Sequence, residues 1–371
     1  MSTKYSQKLE KLRQRRKPTD LAKSLTASMT FDSARSDSLV ESFEVQGKGV
    51  ATKYALGCMA EVPPEYTAIS LRDGQRISDQ LTSQSTMKVA TKLQGSVPLN
   101  IHIYTSSDVD LLVFANWFIS VDNPVLVPTK YDFNPSISPV NELSRLRKFC
   151  EEYLDARYPA AEVDVTGAKS IAVSGGSLAR KVDVVPAHWI DSVEYQNTSF
   201  DHTRDVAILN KHERTTLRNR PFMHMASIEA KDRTSSGYAK RAIRLLKCLS
   251  RDADMEIKLS SYDIAGLIYH MSDAELIGQQ YFPLLLLDRV EAYLRRLEAN
   301  PQVAFSLNTP DGTRKVLDSA EKFASLIQLR RELTDAIDNI ATEYNQTLAF
   351  TVDRSKAAEL ARKTLRETAI Y

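Results

Sequence analysis

The chain has 371 residues, 43 % of them apolar, and a formal net charge of +2. That length supports two lobes with sizeable cores, and the near-neutral balance argues against a strongly basic double-stranded DNA binder. Cys58, Cys150 and Cys248 are too far apart in sequence for a disulfide framework or a zinc spacing, and no run approaches the roughly 20 apolar residues of a membrane span, so a cytoplasmic protein with no membrane association is expected.

Residues 1–17 read as a charged helix ended by Pro18, and 20–45 as a mixed stretch, Ser/Asp-rich at 32–42. Gly47, Gly49, Gly57, Pro63, Pro64 and Gly74 predict turns and short strands over 46–76, with a loop at Val62–Tyr66. A helix is expected at 77–93, then a strand at 108–114. Residues 122–138, with Pro124, Pro128 and Pro135, read as a connection. The stripe Leu143, Leu146, Phe149, Cys150, Tyr153, Leu154 predicts an amphipathic helix over 140–157. Strands are expected at 161–166, 169–174 and 181–186, with Gly175-Gly176 marking a hairpin turn. From about 215 the chain reads as helical, at 237–250, 260–271, 273–298 (kinked at Phe282-Pro283), 317–344 and 353–367. Ala239, Ala242, Ile243, Leu246 and Leu249 would face a core, leaving Arg241, Arg244 and Lys247 to solvent or ligand.

Two segments carry the chemistry. Leu93-Gln94-Gly95-Ser96 is followed, after eleven residues, by Asp108-Val109-Asp110-Leu111; Lys181-Val182-Asp183-Val184-Val185-Pro186 comes later. Asp108 and Asp110 are two apart in a strand-like run, so both carboxylates project from one face. If the strand holding Asp183 pairs beside it, three carboxylates converge, and their repulsion is relieved by two hard divalent cations, Mg²⁺ or Mn²⁺. Gly95 lets the backbone approach a phosphate and Ser96 adds a hydroxyl; with a helix before and a strand after, the turn would present N–H groups to phosphates. Taken singly, each feature has a plain alternative: an ordinary turn, an exposed strand face, an ion-pair partner. The joint pattern is far more specific and points to nucleotidyl transfer.

This pattern resembles the polymerase beta-like nucleotidyltransferase superfamily and, within it, the bacterial cyclic GMP-AMP synthase/DncV-like (CD-NTase) group. The resemblance spans roughly residues 77 to 275, on Leu93–Ser96, Ser106–Leu111, Lys169–Val173, Lys181–Ala187, Arg241–Lys247 and Leu259–Tyr262. It departs at Val97-Pro98-Leu99-Asn100-Ile101, where the family often carries a Tyr and a Gly-Thr. The resemblance implies an α+β fold: a catalytic lobe with a small mixed sheet and an N-terminal helix (1–215), a helical lobe (216–371), and the active site in the cleft between them. It implies that Asp108, Asp110 and Asp183 hold the metals, that Gly95 and Ser96 contact the triphosphate, that Lys247 and Ser261 reach phosphates, and that Tyr262 stacks on a base. Asp183 would be the general base. Nucleoside triphosphates would be joined into a cyclic di- or trinucleotide read by a separate effector in antiphage (CBASS) signalling. Two alternatives stay open at this point: a nucleotidyltransferase acting on RNA or a small-molecule hydroxyl, and a silent nucleotide-binding scaffold.

Overall fold

The computed structural model describes residues 3–17, 41–84, 86–105, 107–131, 136–278 and 281–371; most of the mixed stretch expected at 20–45, and Ser106, lie outside them. Strands Val109–Val121 (β2) and Val182–Asp191 (β5) run parallel at the centre of a seven-stranded mixed sheet. β1 (Val89–Gln94) pairs antiparallel with the outer edge of β2. On the other side of β5, β4 (Ile171–Gly175) pairs with its first half and β6 (Asp205–Asn210) with its second; β3 (Ala161–Asp164) and β7 (Thr215–Asn219) complete the sheet.

Alternation divides the side chains between two faces. Val109, Leu111, Val113, Val182 and Val184 bury one face under helices Pro64–Ser83 and Pro139–Arg157. Leu112, Phe114, Val185, Ala187 and Trp189 form a second, smaller cluster on the opposite face, the one that carries Asp110 and Asp183. The helix expected at 77–93 is therefore displaced: it runs over 64–83, and 89–94 is a strand. Pro64 at its first turn lacks only an N–H that the helix start leaves unbonded. Val89 and Leu93, an even number of residues apart on the strand, both point into the sheet core. The turns expected over 46–76 are helices Val50–Met59 and Pro64–Ser83 instead. Gly74 serves close packing there, since a Cβ would meet Leu93 and Val109 at 2.8 Å.

The remaining helices, among them Tyr238–Arg251, Ser261–Tyr269, Leu285–Ala299, Ala320–Tyr344 and Arg354–Glu367, share one core. The stretch expected as a kinked 273–298 helix is two helices, Asp273–Leu276 and Leu285–Ala299: the backbone leaves the helical region at Ile277 (ψ 111°), and Pro283 stands just before the second helix. Packing crosses the expected 1–215/216–371 division. Helices Thr3–Arg16 and Val50–Met59 bury Tyr5, Leu9, Leu12 and Tyr54 among Ile243, Leu246 and Leu333, so the N-terminal helices join the helical core rather than the sheet. β7 carries the sheet on to Asn219. Among the described residues no helix is long and apolar enough to cross a membrane.

A buried ion pair ties the N-terminal helix to this core. Arg15 donates two hydrogen bonds to Asp252, at 2.8 and 2.7 Å, and Tyr54 Oη donates a third at 2.8 Å. Both members of the pair are buried, and removing one leaves a charge with no compensation. Asp252→Ala is expected to cost about 3–5 kcal/mol in chemical denaturation. Tyr54→Phe is expected to cost about 1–2 kcal/mol, since one hydrogen bond to a carboxylate is lost but the ring stays.

Candidate active site

The parallel register sets Asp110 directly beside Asp183, and Asp108 lies two residues before Asp110 on the same side. β1 ends with Gln94 paired to Asp110, so the next residue, Gly95, turns over that carboxylate. Gly95 has φ +89°, and a Cβ there would stand 2.4 Å from Asp110 Oδ2. Only glycine meets both conditions. The Gly95-Ser96 turn thus follows a strand, not a helix, and the expected helix–turn–strand nest is corrected accordingly. The segment that departs from the family pattern folds into a tight turn: Asn100 N–H donates to the Val97 carbonyl and Ile101 N–H to the Ser96 carbonyl, both at 3.0 Å.

Three carboxylates on one face need a cation, and the protein supplies one. Lys181 Nζ lies 3.0 Å from Asp108 Oδ2 and 3.2 Å from Asp183 Oδ2. Pairing with Asp108 raises the Lys181 pKa. Burial raises that of Asp183 despite the lysine. Asp110 has no ion pair among the described residues; burial, then repulsion from Asp183 and Asp108, pushes it up to about 6. Among the described residues no three metal-binding side chains are gathered into a ready cation site in this conformation. Lys181 holds the outer two carboxylates in its place. The approach to β5 is itself pinned: Asp73, fully buried on helix Pro64–Ser83, accepts the N–H groups of Ala179 and Arg180 at 2.7 and 2.9 Å.

Facing the Ser96 turn is a cavity of about 690 Å³ lined by Ser96, His102, Ser107, Lys247, Arg251 and Ser261, among others. The fold therefore brings Ser96, Lys247 and Ser261 together. Lys247 is buried, donates to the Ile101 carbonyl at 2.7 Å, and has its pKa lowered to about 8 by burial. Arg244 is buried too and donates to the carbonyls of Met59 (3.0 Å) and Asn100 (2.7 Å). Of the three basic residues expected to face solvent or ligand, only Arg241 is exposed; the other two satisfy carbonyls of the loop wrapped over their helix. His102 beneath the turn has its pKa lowered to about 4 by burial and by Lys247, and shares a 3.1 Å hydrogen bond with Thr67 Oγ1. Tyr262 is drawn elsewhere: its ring stacks on His224 at 3.7 Å and its hydroxyl donates to Asp311 at 2.8 Å. Sequence reasoning assigned no role to Lys181, although its position two before Asp183 puts it on the carboxylate face.

No family model matches the chain. A relative from Yersinia aleksiciae, cyclic dinucleotide synthase CdnE, is 36 % identical over 361 residues, covering 91 % of this chain and 92 % of its own. The chain belongs to the CD-NTase family of cyclic dinucleotide synthases. A c-di-GMP synthase of Capnocytophaga granulosa is 28 % identical over 302 residues, 74 % of this CD-NTase chain and 84 % of its own. The structure of a STING-associated CdnE c-di-GMP synthase from that organism covers 91 % of this chain and 99 % of its own, at 27 % identity and TM-score 0.71. This CD-NTase is accordingly a nucleotidyltransferase with the α+β fold of its family.

Two outcomes follow from the geometry. Gly95→Ala would push the turn off Asp110 and is expected to lower product formation by about 10²-fold, the scale of an ångström's misplacement, with the melting temperature near that of the unsubstituted protein. Asp110 is protonated more readily folded than unfolded. In metal-free protein its contribution to stability is therefore complete below about pH 4 and is lost as pH rises through about 6. Asp110→Asn in chelator is expected to raise stability by about 3 kcal/mol at pH 8, with the gain shrinking towards pH 4 in urea titrations.

Proposed function

We propose that this CD-NTase joins two ribonucleoside triphosphates into a cyclic dinucleotide. The carrying observation is the in-register Asp110/Asp183 pair with Asp108 alongside, while Ser96 and Ser107, the chain neighbours of Gly95 and Asp108, line a cavity together with Lys247 and Ser261. Hard carboxylate oxygens suit Mg²⁺ or Mn²⁺, and buried Asp110, with no ion pair among the described residues, is the group that most lacks a cation. Asp108, Asp110 and Asp183 would hold two such ions, which when bound neutralise phosphoryl oxygens and polarise the attacking hydroxyl.

The chain's own residues do the rest. The Gly95 backbone and Ser96 hydroxyl bind the triphosphate of one nucleotide, and Lys247 and Ser261 reach phosphates from the helical side. For Tyr262 to stack on a base, its ring must exchange His224 or the Arg314 guanidinium, 5.8 Å from its centroid, for that base. Asp183 accepts the proton of a ribose hydroxyl on the second nucleotide. That oxygen bonds to the α-phosphorus in line with the departing pyrophosphate, and a second round closes the ring. Catalysis rests on positioning and charge neutralisation. The product is read by a separate effector, in the antiphage setting of the family, and the enzyme works in the cytoplasm.

The test is incubation with the four ribonucleoside triphosphates and Mg²⁺ or Mn²⁺, then phosphatase treatment and mass spectrometry. A phosphatase-resistant cyclic dinucleotide is expected. The Asp108→Asn/Asp110→Asn protein is expected to make at least about 10³-fold less of it. Linear or tailed products would support transfer to RNA or another hydroxyl instead. Product unchanged by the double substitution would rule the carboxylates out.

A further inference from the structure

Lys181 stands on the carboxylate face, and the proposed reaction gives it no task. It stands immediately before β5, its carbonyl accepts the Val109 N–H at 3.1 Å, and its backbone is therefore fixed beside the first residue of β2. Two residues before Asp183, it projects to the same face. Its ammonium lies between Asp108 and Asp183, within 3.2 Å of both, and its side chain remains 38 % exposed. A lysine ammonium is a compact point charge on a flexible four-carbon stem, able to exchange one anionic partner for another without moving the backbone.

We infer that Lys181 is a built-in counter-cation that competes with the divalent metals for Asp108 and Asp183, so that the nucleotide-free enzyme binds metal weakly. This rests on the carboxylates being the metal ligands. Metal entry at the outer pair requires the ammonium to leave. A triphosphate entering the cavity lined by Ser96 and Ser107, the neighbours of Gly95 and Asp108, is an alternative anion for it. Metal and nucleotide binding are thereby coupled: the nucleotide takes Lys181, and the carboxylates become free for the cations.

The test is a Mn²⁺ titration of the full chain without nucleotide, read from the paramagnetic resonance signal of free Mn²⁺. Lys181→Met is expected to bind Mn²⁺ at least about tenfold more tightly than the unsubstituted protein, the scale of losing one charge-assisted hydrogen bond. Lys181→Gln should shift in the same direction, whereas Lys181→Arg, which keeps the charge, should stay weak. Adding Asp110→Asn to Lys181→Met should remove the gain, which places it at this site. A non-hydrolysable nucleoside triphosphate analogue should narrow the gap between the unsubstituted and Lys181→Met proteins. Equal or weaker Mn²⁺ binding by both neutral variants, with nucleotide-dependent Mn²⁺ binding intact in the unsubstituted protein, would overturn the role of Lys181 alone. Mn²⁺ binding no greater than in the Asp108→Asn/Asp110→Asn protein, even with nucleotide, would overturn the metal assignment and this inference with it.

Discussion

The parallel pairing of β2 with β5 is the constraint on which the site depends. It places Asp110 opposite Asp183 on one face while Val109, Leu111, Val182 and Val184 are buried on the other. A one-residue slip would invert every side chain and bury carboxylates in an apolar core, so the hydrophobic face fixes the register that the chemistry needs. The cost is concentrated charge: carboxylates that repel one another on a partly desolvated surface. Lys181 offsets part of it, and Asp110, left without a partner of opposite charge among the described residues, carries the remainder.

The rest of the molecule holds this pairing in place and supplies the opposite charge. Helix Pro64–Ser83 packs under the sheet and sends Asp73 up to grip the backbone just ahead of Lys181. β1 brings Gly95 against Asp110, where any side chain would displace the carboxylate. Across the cavity, helix Tyr238–Arg251 inserts Arg244 and Lys247 beneath the 97–105 segment, where carbonyls of Asn100 and Ile101 accept from them. The loop that departs from the family pattern is thus held from below by the helical side. The N-terminal helix, through Arg15 and Asp252, braces that same helix from behind.

Much of the site was legible because its signals are local. Two aspartates at strand spacing, a third in a valine run and a Gly-Ser step can be read without knowing what lies across the sheet. Glycine and proline misled over 46–76 because the residues that break isolated helices also start them or let them pack closely. Pro64 does the first and Gly74 the second. The 89–94 segment was taken for helix because its short apolar run has no decisive period until β2 lies beside it. The base-stacking role of Tyr262 follows from the family resemblance, whereas its stacking on His224, 38 residues earlier in the chain, is not legible in either residue.

The sequence by itself determined the candidate carboxylates and the Gly-Ser step, the division between a sheet and helices, and the family, because side-chain type and short-range periodicity are local properties. Only the tertiary structure decided three further things. The N-terminal helices belong to the helical core, Lys247 is buried against a carbonyl, and Lys181 already occupies the outer carboxylates. Each depends on which distant surfaces meet. Burial and ion pairing are set by the partners that folding brings within a few ångströms, and separation along the chain does not encode them.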